Sequence, residues 1–261
     1  MSGVVSDGAS AILRMWAVDG SAMVDLFSDS PSRGRGLSGG VHTWADDGEV
    51  LYVTTEARGI VEISLRNDVV TAERSLAFDA SRSWSTPAID YMNLRVFAIA
   101  DWKELWGCDI ADGDPYVVHG DSDFAIDAIA GVDGSCIVWN RPDMAWTQSA
   151  SYPEQIAAGI AVQQARFSRN KESFGFIDDS NGVANVHILG DQIVDPNISI
   201  IDHCEHGAPT WGPGQRTWCF NTDGTRVAYT RNEDGFSSLW VYDRATASRH
   251  RIGQGVHGCV S

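Results

Sequence analysis

The stretch Trp218-Cys219-Phe220-Asn221-Thr222-Asp223-Gly224-Thr225-Arg226-Val227-Ala228-Tyr229-Thr230, followed by Ser238-Leu239-Trp240-Val241-Tyr242-Asp243, decides the fold. Val227 and Tyr229 alternate with their neighbours, as do Leu239 and Val241, and a period of two is the mark of a half-buried strand. Asp223-Gly224 ahead of the first run and Asn232-Glu233-Asp234-Gly235 between the runs supply tight turns, since glycine reaches left-handed backbone without strain. Another short run, 249–252, follows Arg244-Ala245-Thr246-Ala247-Ser248. Strand, turn, strand, turn, strand reads as an antiparallel meander.

Toward the N-terminus the same outline recurs. Trp44-Ala45-Asp46-Asp47-Gly48 leads into strand-like runs at 50–55 and 60–65; Ala88-Ile89-Asp90-Tyr91-Met92-Asn93 leads into 95–99 and 104–109. Val132-Asp133-Gly134 precedes 136–139, and Phe167-Ser168-Arg169-Asn170-Lys171 precedes 174–177 and 184–189. With the turn glycine or its equivalent as marker, Gly48, Asn93, Gly134, Lys171 and Gly224 are spaced by 45, 41, 37 and 53 residues. A four-stranded propeller blade takes about 40–50. Asp7-Gly8 opens an earlier copy, with 11–16 as its strand. The expected fold is all-β: a β-propeller of about six blade-like repeats of four-stranded antiparallel sheet, or an incomplete seven-bladed ring, in a single domain over 1–261. A β-sandwich of unrelated hairpins is the alternative, and the regular spacing weighs against it. The Ser-, Gly- and Arg-rich segment 28–40 reads as one long loop, and after 249–252 the chain is expected to stop where another blade would begin.

Composition agrees with this reading. Of 261 residues, 43% are hydrophobic and 21% charged, enough for a sizeable core, and ten Trp with 26 Gly suit short strands, tight turns and bulky packing between sheets. Long Ala-, Leu-, Glu- and Lys-rich runs of period 3.6 are missing. The net charge of −16 repels phosphate backbones, so nucleic acid is not an expected partner. No apolar stretch of about 18 residues marks a membrane span, and the N-terminus shows no basic region followed by an apolar one, which predicts a cytoplasmic protein. The five cysteines (Cys108, Cys136, Cys204, Cys219, Cys259) are widely separated and form no Cys-x-x-Cys pair, so they read as reduced packing residues.

Four segments carry a family resemblance. Glu205-His206-Gly207-Ala208-Pro209-Thr210-Trp211-Gly212-Pro213-Gly214-Gln215-Arg216-Thr217-Trp218 and Tyr229-Thr230-Arg231-Asn232-Glu233-Asp234-Gly235-Phe236 resemble the propeller of the acylaminoacyl-peptidase-like branch of the prolyl oligopeptidase family. Trp139-Asn140-Arg141-Pro142-Asp143-Met144-Ala145-Trp146 is similar to that family's Trp-Asp-His-Pro-Asn-Met-Pro-Trp loop, and Val162-Gln163-Gln164-Ala165-Arg166-Phe167-Ser168 to a blade opening of the type Gln-Pro-x-Trp-Ser-Pro-Asp-Gly. Arg169-Asn170-Lys171 departs from Pro-Asp-Gly, and Asn140 and Ala145 alter the Trp loop. The resemblance implies a propeller that covers an α/β-hydrolase domain and limits access to small peptides, with Ser, Asp and His in the hydrolase domain. No segment of the chain corresponds to that domain, so the resemblance implies a propeller lost or cut from its enzyme.

Catalytic motifs are weak. Gly36-Leu37-Ser38-Gly39-Gly40 matches Gly-x-Ser-x-Gly, but a nucleophile elbow needs a strand before the serine and a helix after it, and Pro31-Ser32-Arg33-Gly34-Arg35 is no strand. His203-Cys204-Glu205-His206 is the densest metal-capable run. Zinc needs three or four converging ligands, whereas alternate residues of an extended segment face opposite ways. The other histidines (His42, His119, His187, His250, His257) are scattered, and no Ser–His or Cys–His pairing follows from them. Asp101, Glu104, Asp109, Asp112 and Asp114 lack the density of a calcium loop and read as a solvated face. No catalytic, metal or cofactor residue is therefore expected. Arg231, Asn232 and Glu233, at a strand end before a Gly turn, and Trp139, Arg141 and Trp146 are candidate rim or gating contacts. A hairpin tip held by its own side chains, or an aromatic plug between blades, is the plainer account of each set. The expected role is a non-catalytic propeller resembling the substrate-gating half of a serine peptidase that cleaves short or N-acylated peptides. The alternatives are a free-standing scaffold for a protein or ligand, and an enzyme using polar groups in the propeller tunnel.

Overall fold

Asp-Gly turns organise the observed sheets as the sequence leads one to expect, in a computed structural model of the chain. The structure describes residues 2–6, 11–17, 19–20, 22–27, 29–31, 40–45, 47–111, 113–120, 125–131, 136–141, 144–149, 153–158, 162–169, 173–189, 198–207 and 214–253. Among these it is all β, with no helix. No helix among them is therefore long and apolar enough to cross a membrane. The chain packs as two units, Met1–Ala130 with Gly212–Gly214 and Gly131–Trp211 with Gln215–Ser261.

In the first unit, β1 (Ser2–Ser6), β2 (Ala11–Trp16) and β3 (Met23–Phe27) form a three-stranded antiparallel sheet. Next come β4 (His42–Trp44), β5 (Val50–Thr55), β6 (Gly59–Arg66) and β7 (Val69–Ser75), a four-stranded meander. A second meander is β8 (Trp84–Asp90), β9 (Arg95–Ala100), β10 (Glu104–Asp109) and β11 (Tyr116–His119), and β12 (Ile126–Ala130) follows it. In the second unit, β13 (Cys136–Arg141), β14 (Met144–Ser149) and β15 (Pro153–Ala158) run antiparallel in sequence order. Two four-stranded meanders complete it: β16 (Gln163–Phe167), β17 (Phe174–Asp178), β18 (Asn185–Leu189), β19 (Ile198–Ser199), then β20 (Trp218–Phe220), β21 (Arg226–Glu233), β22 (Phe236–Asp243), β23 (Ser248–Arg251).

Four meanders thus have the full four-strand form with side chains described, which corrects the expected six or seven equivalent repeats. The first copy falls short for a local reason. After β3 the chain crosses to β5, where Pro31 bridges Thr55 and Glu56 N donates to Ser30 O. The marker Gly134 and most of loop 28–40 lie outside the described residues.

The turn at Asp223-Gly224 and its equivalent at Asp90–Leu94 work by the same chemistry. Asp223 Oδ1 accepts from Thr225 N (3.0 Å) and Thr225 Oγ1 (2.6 Å), while Gly224 takes a φ of 72°. In the copy marked by Asn93, Asp90 accepts from Met92 N and Asn93 N, both 3.1 Å, and Leu94 supplies the left-handed residue at φ 49°. The turn after β21 is a two-residue hairpin, with Asp234 at 52° and Gly235 at 82° between paired Glu233 and Phe236.

Val227 and Tyr229 bury as their alternation predicts, whereas on β22 Trp240 and Tyr242, rather than Leu239 and Val241, pack against the same core, because they stand opposite Tyr229 and Val227. Leu13, Leu26, Leu51, Val53, Val61 and Ile63 form one core in the first unit; Ile60, Trp84, Val96, Ala98 and Cys108 form another. Ile177, Val186, Ile188, Trp218, Val227 and Tyr229 form a core in the second unit.

A recurrent irregularity sits on the first strand of successive repeats. Thr86 on β8, Asp127 on β12 and Gln164 on β16 take φ values of 47°, 55° and 54°. On β8 and β16 two residues oppose one on the neighbouring strand, a β-bulge. Each of the three accepts a backbone N–H from farther along the chain: Thr86 Oγ1 from Ala128 N (3.4 Å), Asp127 Oδ1 from Gly214 N (2.7 Å), and Gln164 Oε1 from Thr217 N (2.8 Å).

Candidate functional site

The polar residues singled out near the end of β21 meet a buried carboxylate. The segment 202–206 is fastened to β18 by Asn185, whose Oδ1 accepts from Asp202 N (2.9 Å) and whose Nδ2 donates to Cys204 O (3.1 Å). It is fastened to β21 by Asn232 N donating to Glu205 O (2.8 Å) and Thr230 Oγ1 donating to His206 O (3.2 Å). Alternation along β21 turns Val227 and Tyr229 into the core, and Arg231, one step nearer the turn, meets the segment instead.

Asp202 has a fully buried side chain and is held by two guanidiniums. Arg231 donates through Nε to Oδ2 (2.6 Å) and through a terminal nitrogen to Oδ1 (3.1 Å); Arg249 on β23 donates to Oδ2 (3.0 Å). Arg231 also contacts the Glu233 carboxylate and lies 5.1 Å from the Trp240 ring centroid. His203, with its side chain 82% exposed, sits at the mouth with Nδ1 3.2 Å from Asp202 Oδ1. Burial alone would push the Asp202 carboxyl up; hydrogen bonding and charge from Arg231, with Arg249, reverse this and hold it at about 2.

His206 is sealed in the same cluster, its ring 4.4 Å from that of Tyr229. Nδ1 accepts from Val186 N (3.2 Å), which places the ring proton on Nε2, and Nε2 is 3.6 Å from Asp202 Oδ2. That is too long for a hydrogen bond, so the two interact through charge and dipole. Burial pulls the imidazole down to about 4, leaving it neutral.

Asp202, His203 and Cys204 bring one ligand atom each within 4.8 Å of one another, a closer set than the alternation of an extended strand predicts. The turn at 203–204 brings them together. Their chemistry does not suit a cation: both Asp202 oxygens are already bonded to arginine, and two guanidinium charges stand where the ion would enter. His206 cannot join, because its free nitrogen carries the proton. The arrangement is an ion-pair lock between segment 202–206, β21 and β23.

The structure thus brings the side chains of Arg231 and Glu233 into one cluster, which Asn232 joins through its backbone N–H. Trp139 and Trp146 are cross-strand partners on β13 and β14, and Arg141 pairs with Met144. Their side chains lie outside the described residues, as do 36–39 of the Gly-x-Ser-x-Gly match. Of the acidic stretch, Asp101 and Glu104 pair with Arg82 at 2.7 and 2.6 Å, so these two are ion-paired rather than merely solvated. Asp202, the centre of the cluster, was not singled out by its sequence, because a lone Asp in Ile-Asp-His carries no spacing signal. One of the scattered histidines, His187, does lie beside a serine, Ser199.

No protein-family model matches the chain, and no curated protein matches it. Solved structures do. Puromycin hydrolase superposes with a TM-score of 0.72 at 16% identity, over 97% of this chain and 45% of that one. Oligogalacturonate lyase from Vibrio parahaemolyticus superposes at 0.69 and 11% identity, over 96% and 73%. The β-propeller domain of Cps50 (Swd1) from Myceliophteria thermophila superposes at 0.65 and 12% identity, over 98% and 83%. The chain has a β-propeller fold. At these identities the likeness is one of fold, and the propeller spans less than half the length of the puromycin hydrolase.

Proposed function

We propose that the whole chain forms one propeller domain acting as the non-catalytic, substrate-gating part of a serine peptidase of the prolyl oligopeptidase family. The observation that carries this reading is the superposition on puromycin hydrolase, which takes in nearly all of this chain and under half of the longer one. The segments at 139–146, 162–168 and 205–218 support it from the sequence side. The gate works by size: a propeller over an α/β-hydrolase domain excludes folded proteins and admits short or N-acylated peptides, and a serine in that other domain attacks the acyl carbon. Arg231, tied to Asp202, stiffens the rim; Asn232, Glu233, Trp139, Arg141 and Trp146 are the contacts offered to peptide or hydrolase domain. The free thiols Cys108, Cys204 and Cys219 fit a reducing, cytoplasmic setting.

The test is to read the coding DNA around this chain and to express the chain with whatever hydrolase it specifies. The expected result is a strand, Gly-x-Ser-x-Gly and helix in the same or adjoining frame. The assembled protein should then hydrolyse chromogenic acyl-aminoacyl substrates, and the propeller alone should not. A region with no such elbow overturns the gating reading. It would favour a free-standing scaffold, the reading supported by the equally complete superposition on the Cps50 propeller domain.

A further inference from the structure

Away from the Asp202 cluster, the sheet β16–β19 carries a second polar array on one face. Cross-strand pairing sets Phe176 of β17 opposite His187 of β18, and His187 opposite Ser199 of β19. Asp178 lies two residues beyond Phe176, on the same face, since side chains alternate. The imidazole of His187 lies almost parallel to the Phe176 ring, 19° between planes and 5.7 Å between centroids. Its Nδ1 is 2.8 Å from Ser199 Oγ, and its Nε2 is 2.9 Å from Asp178 Oδ1. That second contact is close but off the line of a hydrogen bond, so Asp178 acts on the ring through its charge. The carboxylate is itself steadied by Ser180, whose N (3.0 Å) and Oγ (2.6 Å) donate to Oδ1. A proton on Nε2 beside the carboxylate leaves Nδ1 as the acceptor for the Ser199 hydroxyl. Ser199 itself is exposed, while the His187 side chain is only 13% exposed.

We propose that Ser199 is an activated nucleophile that takes an acyl group from small activated esters, with His187 as its general base and Asp178 as a positioning residue. Nucleophile, base and orienting acid stand in the order such chemistry needs. In the step, Ser199 Oγ forms a bond to the ester carbonyl carbon while the hydroxyl proton passes to His187 Nδ1. Collapse of the tetrahedral adduct breaks the bond to the leaving oxygen, which departs as phenolate. His187 then loses its proton to water. The proposal is independent of the gating role, because it concerns this propeller's own hydroxyl and needs no hydrolase domain.

The probe is p-nitrophenyl acetate on the purified chain, with p-nitrophenolate release followed by absorbance and acetylated residues located by peptide mass spectrometry. Ser199 is expected to acetylate at least tenfold faster than the exposed Ser81 and Ser248 of the same molecules, a comparison that needs no variant. Ser199→Ala should abolish the label at that peptide. His187→Gln should slow it about a hundredfold, within the range of general-base catalysis, with partial recovery in added imidazole. Asp178→Asn should slow it several-fold at unchanged thermal stability. Labelling of Ser199 no faster than Ser81 and Ser248, or at the same rate in His187→Gln, overturns the proposal.

Discussion

Asp202 shows how one buried charge governs its surroundings. Two arginines stabilise its ionised form against the cost of burial, so removing Arg231, which holds both oxygens, leaves a buried charge with only Arg249 to compensate it. Arg231→Met is expected to cost about 3 kcal/mol or more, read as a lower midpoint in urea unfolding. Arg249→Met, whose side chain is 40% exposed, should cost clearly less. His206 adds a pH dependence of definite sign. It is held neutral, with a folded value of about 4 against an ordinary 6.5, so the unfolded chain binds the extra proton. Its contribution is whole above pH 6.5 and falls away as pH drops toward 4. Asp202, depressed to about 2 from 3.8, keeps its contribution down to about pH 4 and loses it below. Urea unfolding at pH 7, 5.5 and 4.5 should show declining stability, and His206→Gln should flatten that decline.

Among the elements, the strands legible in the sequence are the β-rich runs bounded by turn residues, whether or not they alternate. The runs expected at 50–55 and 104–109 coincide with β5 and β10, and 11–16 with β2. β8 is half hidden: Pro87 and the left-handed Thr86 interrupt its period, so only its last residues, ahead of the Asn93 marker, show in the repeat outline. Two-residue β19 has no period to show. Arg231, Asn232 and Glu233 could be found as a turn-edge polar cluster, but the Asp202 and His187 arrays depend on strand register, which no local pattern of these residues contains. The turns give a sharp comparison. Gly48 and Gly59 have nearly equal φ values of 72° and 71°, yet a Cβ on Gly48 meets nothing within 4 Å and one on Gly59 meets Phe78 O at 2.9 Å. Gly48→Ala should cost about 1 kcal/mol from backbone strain alone, and Gly59→Ala appreciably more, by thermal or urea unfolding. Gln164→Ala, which leaves the buried Thr217 N–H without its acceptor, should cost about 1–3 kcal/mol.

For the molecule as a whole, acidic residues outnumber basic ones 35 to 19. Self-repulsion of that excess opposes folding, and added salt screens it. Raising sodium chloride from 10 to 500 mM is expected to raise the melting temperature, although exposed pairs such as Arg14–Asp25 lose some of their small contribution. The left-handed residues on the first strands recur in one role. Thr86, Asp127 and Gln164 share no chemistry beyond an oxygen, yet each holds the same left-handed slot and accepts a backbone N–H farther along the chain. What the repeats share there is therefore a backbone shape and an acceptor oxygen, not a residue type. At this slot the repeats agree in torsion angle where they differ in letter.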